Sequence, residues 1–433
     1  MIVSEYTLPG MHIRDHVIPV PLDWSNPAGP AIQLFAREVV DPARKFEDLP
    51  LLCFLQGGPG GKSPRPTGNS PGWLHEALKT YRVVLPDQRG TGRSTPVTSG
   101  TMARFADGEA AADHLQLFLA DSIVADLEHL RNSAFGGKRW QTLGQSYGGF
   151  LTLTYLSHAP EALTACYITG GLPGLGTSAA QTYQHTYPRV AAKNAAFYKR
   201  FPQNIARVAD IADRLEERTP TLPDGDRLTV RRLQMLGIDF GLKLGFENTH
   251  WLLDEALDDA AQSGLSALFI RSVCDGTSFA SNPLYAVLQE AIYAGDEPTA
   301  WSAEQQRPAL FCSSARPLLF TGEMMFPWMY DDIAALRPFK AGAEALARRK
   351  NERRFYDSAK LAANAVPVAA AIYHDDMYVD AELSLQTARH VGNLDYWITN
   401  EFEHDGLRQS GSVLTRLVGM VGDKGGPLLG SPS

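Results

Sequence analysis

A chain of 433 residues exceeds one average domain, so a large core carrying an insertion or a second domain is expected. Hydrophobic residues at 44% and charged residues at 20% exclude a disordered chain. Forty basic and 48 acidic residues leave a net charge of −8, which favours solubility and argues against a nucleic-acid partner.

The first half alternates strand and helix patterns. Ala31–Val40 reads as an early strand, and Pro50–Leu55 is a short apolar run ended by glycines, as a buried parallel strand would be. Tyr81–Pro86 reads as the next strand. Ser122–Leu130 follows as a helix with Ile123, Val124, Leu127 and Leu130 on one face. Lys138–Leu143 and Ala165–Gly171 supply further strands, separated by an apolar helix over Phe150–Leu156. This is the rhythm of a mostly parallel sheet covered on both faces.

The rhythm stops near Gly176. From there to about residue 315 the sequence is largely helical, with amphipathic stretches around 190–215 and 228–262. Strand pattern returns at Val366–Tyr373 and Asp395–Thr399. The expected division is an α/β core over 1–175, a helical cap over 176–315 and the rest of the core over 316–433. Such a cap would lie over the carboxyl ends of the strands. The Gly-Pro-Ser-rich end, 425–433, reads as a loose tail.

No run approaches the roughly 18 apolar residues that cross a bilayer, and Met1–Thr7 lacks a basic segment followed by an apolar one. A cytoplasmic protein without membrane contact is expected. Cys53, Cys166, Cys274 and Cys312 are far apart, which suits free thiols better than a disulfide framework or a metal site. There is no H-E-x-x-H and no Cys/His cluster, so neither metal nor cofactor is expected. The oligomeric state is left open, a homo-oligomer included.

The chemistry centres on Gly144-Gln145-Ser146-Tyr147-Gly148, which matches G-x-S-x-G. A turn this tight between strand and helix strains the serine and holds its hydroxyl clear of the sheet. Gln56-Gly57-Gly58-Pro59-Gly60-Gly61 follows an early strand. One of its amides, with that of Tyr147, is placed to stabilise an oxyanion. Gly61-Lys62-Ser63 gives a passing likeness to a phosphate loop, but Gln56 stands where that motif needs its first glycine. Asp375 and Asp376 lie just past a strand, where a carboxylate can orient an imidazole. His404 follows the last strand and is favoured as the base over His374, which sits beside the acids. The order serine, aspartate, histidine is that of α/β-hydrolase triads.

Four segments in order, QGGPG at 56–60, DQRGTGRS at 87–94, GQSYGG at 144–149 and EHDGLR at 403–408, resemble the proline iminopeptidase family. The likeness is to its longer bacterial branch and runs from about residue 15 to 415. Gln56 departs from it, since shorter members carry histidine there. The resemblance implies an α/β-hydrolase fold and removal of an N-terminal proline, or another residue, from a peptide with a free N-terminus. It makes Ser146 the nucleophile, His404 the base, Asp376 its partner, and the amides of Gly58 and Tyr147 the oxyanion hole. Asp87–Gly90 would tie loops behind the site. Cap glutamates would hold the substrate amine; the candidates are Glu323 and Glu290, then Glu247. Phe326, Trp328 and Tyr147 would wall a pocket for the proline ring. The alternatives are an esterase or amidase on the same scaffold, and a non-catalytic binding protein of this fold. Ser146 argues against relatives that use aspartate as nucleophile.

Overall fold

The computed structural model describes residues 1–433 apart from 69, 71, 352 and 429–433. Nine strands form one sheet: β1 (Ile2–Leu8), β2 (Met11–Pro21), β3 (Ala31–Val40), β4 (Leu51–Leu55), β5 (Arg82–Pro86), β6 (Trp140–Gln145), β7 (Leu163–Thr169), β8 (Val368–Tyr373) and β9 (Leu394–Thr399). Their spatial order is β1-β2-β3-β5-β4-β6-β7-β8-β9. The pairs from β1 to β3, and β3 with β5, are antiparallel; those from β5 to β9 are parallel.

Continuous apolar runs occupy the centre because both faces there are covered. β4, β6 and β8 are buried along their whole length. Alternation along β4 sends Leu52 and Phe54 to one hydrophobic cluster and Cys53 and Leu55 to the other. The first cluster is completed by Trp73 and Leu74 of the helix Gly72–Leu78 and by Leu414 and Leu417 of the helix Ser412–Gly422. The second is built on the helices Ala120–Ala134 and Tyr147–His158 and continues into the segment between β7 and β8. The strands and helices expected in the first half are present; β1 and β2 come in addition.

The chain leaves the sheet at Thr169 and re-enters it at Val368. Between them lie the helices Ala179–Arg200, Gln203–Glu217, Gly245–Asp254 and Ala267–Thr277. Ser178 opens the first of these with a reciprocal capping box to Gln181. Residue 316, where the core was expected to resume, starts a stretch of loops and helices that precedes the next strand. Within it, the helix Lys340–Arg348 packs on the helix Gly108–Leu115 of the core. Of the tail expected at 425–433, residues 429–433 lie outside the described residues, while the amide of Leu428 reaches the carbonyl of Thr164 at 2.8 Å. No helix among the described residues is long and apolar enough to cross a membrane.

Candidate active site

β6 ends at Gln145 and a helix begins at Tyr147, so Ser146 alone makes the turn. Its backbone sits at φ 57° and ψ −126°, a conformation that costs a non-glycine residue on the order of 1–3 kcal/mol. Two hydrogen bonds hold it there. Its amide donates to Thr169 O at 3.0 Å, and its carbonyl accepts from Gly149 N at 2.7 Å. The helix comes so close to β4 that a Cβ on Gly148 would collide with the carbonyl oxygen of Leu55. Tyr147 is the first helical residue, and the first amides of a helix have no partner within it.

His404 lies past the end of β9, with Asp376 past the end of β8. Asp376 Oδ2 and His404 Nδ1 are 2.6 Å apart in a buried contact. The other oxygen of Asp376 accepts the amides of Tyr378 at 2.8 Å and Val379 at 3.1 Å. The ring of Tyr378 packs on the imidazole with centroids 4.6 Å apart, and the amide of His404 donates to Gly241 O at 3.0 Å. Burial alone would lower the imidazole pKa. The charge and hydrogen bond of Asp376, joined by Glu323, outweigh it, and the net shift is upward. His374 and Asp375 pair with one another at 2.9 Å on the surface, away from this arrangement.

The glycine turn is fixed from behind. Gln88 donates to Gln56 O at 2.7 Å and accepts from Gly61 N at 3.3 Å, gripping both ends of the turn. Between them Gly58 has φ +137°, open only to glycine. Arg89 is wholly buried. It binds both oxygens of Asp126, at 2.7 and 2.6 Å, and the carbonyls of Pro21, Leu22 and Leu117. Asp87 receives Arg65 and the amides of Ser63 and Arg93. These three consecutive side chains tie the loops beneath the site together.

Ser146, His404, Gly57 and Gly58 open on a cavity of about 430 Å³. Glu323, Asp239, Tyr285 and Tyr378 also line it. The backbone that carries Glu323 is clamped: Asn194 bonds both the amide and the carbonyl of Phe320, and Thr321 N donates to Gln234 O. Burial pushes the Glu323 carboxyl up to about 7, against the pull of the Tyr285 hydroxyl and of His404.

The other expected binding residues lie apart from this cavity. Glu290 is buried, and its carboxylate accepts the amides of Ser302 at 3.1 Å and Ala303 at 2.8 Å, so it caps a short helix instead of facing Ser146. Glu247 stands in the first turn of its helix and pairs with Arg200 at 2.6 Å. Phe326 and Trp328 stack together, with Arg231 over Trp328. The Tyr147 side chain is buried against Phe150. The aromatic rings on the cavity are those of Tyr285 and Tyr378, which no local pattern singled out. Among the described residues, one cluster has metal-ligand spacing, His185, Asp380 and Glu382. Its Asp380 is already occupied by Arg189 and by the amides of Glu382 and Leu383.

A hydroxyl on a strained turn, a buried imidazole–carboxylate pair and a glycine turn around one cavity suit acyl transfer. Residues 50–223 match the family model of the alpha/beta hydrolase fold. Over 418 residues the chain is 42% identical to a proline iminopeptidase of Aeromonas sobria, covering 95% of this chain and 97% of that protein. The chain belongs to the proline iminopeptidase family. A proline iminopeptidase of Aspergillus aculeatus is 33% identical, over 94% of this chain and 92% of its own. Both matches to proline iminopeptidases span nearly the whole of this chain.

Proposed function

We propose that this chain is a serine aminopeptidase that releases an N-terminal residue, preferably proline, through an acyl-enzyme on Ser146. Ser146 Oγ attacks the carbonyl carbon of the first residue while His404 Nε2 takes the hydroxyl proton. The resulting oxyanion lies against the amides of Gly58 and Tyr147. Collapse breaks the C–N bond, and His404 returns the proton to the leaving amine. A water, deprotonated by the same imidazole, then hydrolyses the ester and frees the amino acid and Ser146. Asp376 holds the imidazole tautomer and stabilises its cation. This sequence needs neither metal nor cofactor.

The observation that carries the aminopeptidase reading is Glu323 on the cavity shared by Ser146 and His404. A partly desolvated ammonium requires a carboxylate partner. The secondary ammonium of an N-terminal proline has two N–H donors, and a second carboxylate, Asp239, lines the same cavity. Tyr285, Tyr378 and Ile238 offer an apolar wall to the ring. Four free thiols fit a reducing compartment, and we place the protein in the cytoplasm.

The test compares prolyl p-nitroanilide, its N-acetyl form and p-nitrophenyl acetate. The reading requires N-acetylation to abolish turnover and Ser146→Ala to remove activity on prolyl p-nitroanilide and any turnover of p-nitrophenyl acetate. Equal turnover of free and acetylated substrate would instead identify an esterase or amidase.

A further inference from the structure

The carboxylates of the cavity, Glu323 and Asp239, come from the segment inserted between β7 and β8; its cations, Lys62 and Arg408, come from outside that segment. Arg408 lies four residues after His404, in the short helix Gly406–Gln409. Arg408 is exposed; its guanidinium donates to Gln145 Oε1 at 3.3 Å and forms no ion pair with a carboxylate among the described residues. A guanidinium carries five N–H donors in a fork that matches a carboxylate. Buried Arg89 spreads its donors over Asp126 and three carbonyls, whereas exposed Arg408 keeps donors available to a ligand in the cavity it lines. Arg408 and His404 line the same cavity.

That shared cavity puts Arg408 on the space the leaving group must occupy. His404 must reach the leaving nitrogen to protonate it, within about 3 Å. The leaving residue therefore starts beside His404. In a dipeptide its carboxylate carbon is only two bonds from that nitrogen, whereas each added residue moves the terminus about 3.5 Å further. A cavity of about 430 Å³ is toward the small end of ligand pockets, which run from roughly 300 to 1,000 Å³.

We propose that Arg408 binds the C-terminal carboxylate of the leaving residue, so that the preferred substrates are dipeptides with proline first. Lys62 adds a second positive charge to the same lining. The proposal rests on the aminopeptidase reading and adds the other end of the substrate to it. Arg408 is a specificity residue: it touches the leaving group and takes no proton.

The experiment measures kcat/KM for prolyl-alanine and prolyl-alaninamide in the wild type, Arg408→Gln and Arg408→Lys, with prolyl p-nitroanilide as reference. A charge-assisted contact gives the free acid an advantage of about tenfold or more over the amide in the wild type, mainly through KM. Arg408→Gln brings that ratio close to one, and Arg408→Lys keeps part of it. Because each ratio is taken within one preparation, partial unfolding of a variant cancels. Equal rates for acid and amide in the wild type, or an undiminished ratio in Arg408→Gln, overturn the assignment. If the wild type cleaves none of the three prolyl substrates, it is the aminopeptidase reading that fails. Cleavage of prolyl p-nitroanilide without preference between acid and amide sinks only the role of Arg408.

Discussion

Asp376 uses its two oxygens for different tasks: Oδ2 meets His404 Nδ1 at 2.6 Å, and Oδ1 holds the amides of Tyr378 and Val379. The carboxylate is thus fixed before it orients the ring. Asp376→Asn keeps Oδ1 and its two amides but turns an NH₂ toward Nδ1. The imidazole must then carry its proton on Nε2, where it cannot accept one from Ser146. We expect kcat on prolyl p-nitroanilide to fall by about 10³–10⁴-fold, with an unaltered circular dichroism spectrum.

Two groups on the cavity must each lose a proton for the free enzyme to work. His404, raised from its ordinary value, has to be neutral to act as a base, and Glu323, near 7, has to be ionised to hold an ammonium. Both losses favour activity as pH rises, so the acid limb of log kcat/KM should approach a slope of two. Glu323→Gln removes one of these protons. Its limb should have a slope of one, accompanied by a raised KM. A slope of two that persists in this variant would contradict the assignment.

Gln88 grips the carbonyl of Gln56 and the amide of Gly61, with Gly58 between them. Gln88→Leu conserves bulk and removes both bonds. The turn then loses its aim at the oxyanion, a displacement that costs about tenfold to a hundredfold in kcat. KM for prolyl p-nitroanilide should change far less, since the carboxylates are carried elsewhere.

Glu290 caps buried amides, so its loss should register in stability. Glu290→Ala leaves the amides of Ser302 and Ala303 without an acceptor, at a cost of about 2–4 kcal/mol. Urea unfolding measures this, while KM for prolyl p-nitroanilide separates the variant from Glu323→Gln. The pH dependence has a definite sign. Burial raises the Glu290 carboxyl from 4.5 to about 7, so the folded chain keeps its proton longer than the unfolded one. Stability therefore declines as pH rises across that window, and the decline should be smaller in Glu290→Ala.

The sheet centre and the serine turn were legible because their signals are local. Runs such as Leu51–Leu55 are apolar throughout, and the glycines around Ser146 answer to contacts within a few residues. β2 escaped notice for the opposite reason. Its buried positions include His12, Asp15 and His16, whose partners Glu5, Arg37 and Glu38 lie on the neighbouring strands. Polar residues satisfied across a sheet do not look like a strand core in one dimension. The same limit separates Glu323 from Glu290. Both sit in apolar stretches, and only the tertiary fold shows one opening on the cavity and the other serving two amides beyond residue 300. Nor could spacing show that Tyr285 and Tyr378, in place of Phe326 and Trp328, would face Ser146.

The excursion from Thr169 to Val368 begins and ends on strands that lie side by side. The proposed reacting groups and the proposed recognition of the substrate's amino end are therefore carried by separable lengths of polypeptide. Ser146, Asp376, His404 and Arg408 travel with the sheet; Asp239, Tyr285 and Glu323 travel with the excursion. Replacing the latter as one cassette would redraw which amino terminus is accepted while leaving the bond-breaking apparatus in place. A scaffold divided in this way can change its diet without relearning its chemistry.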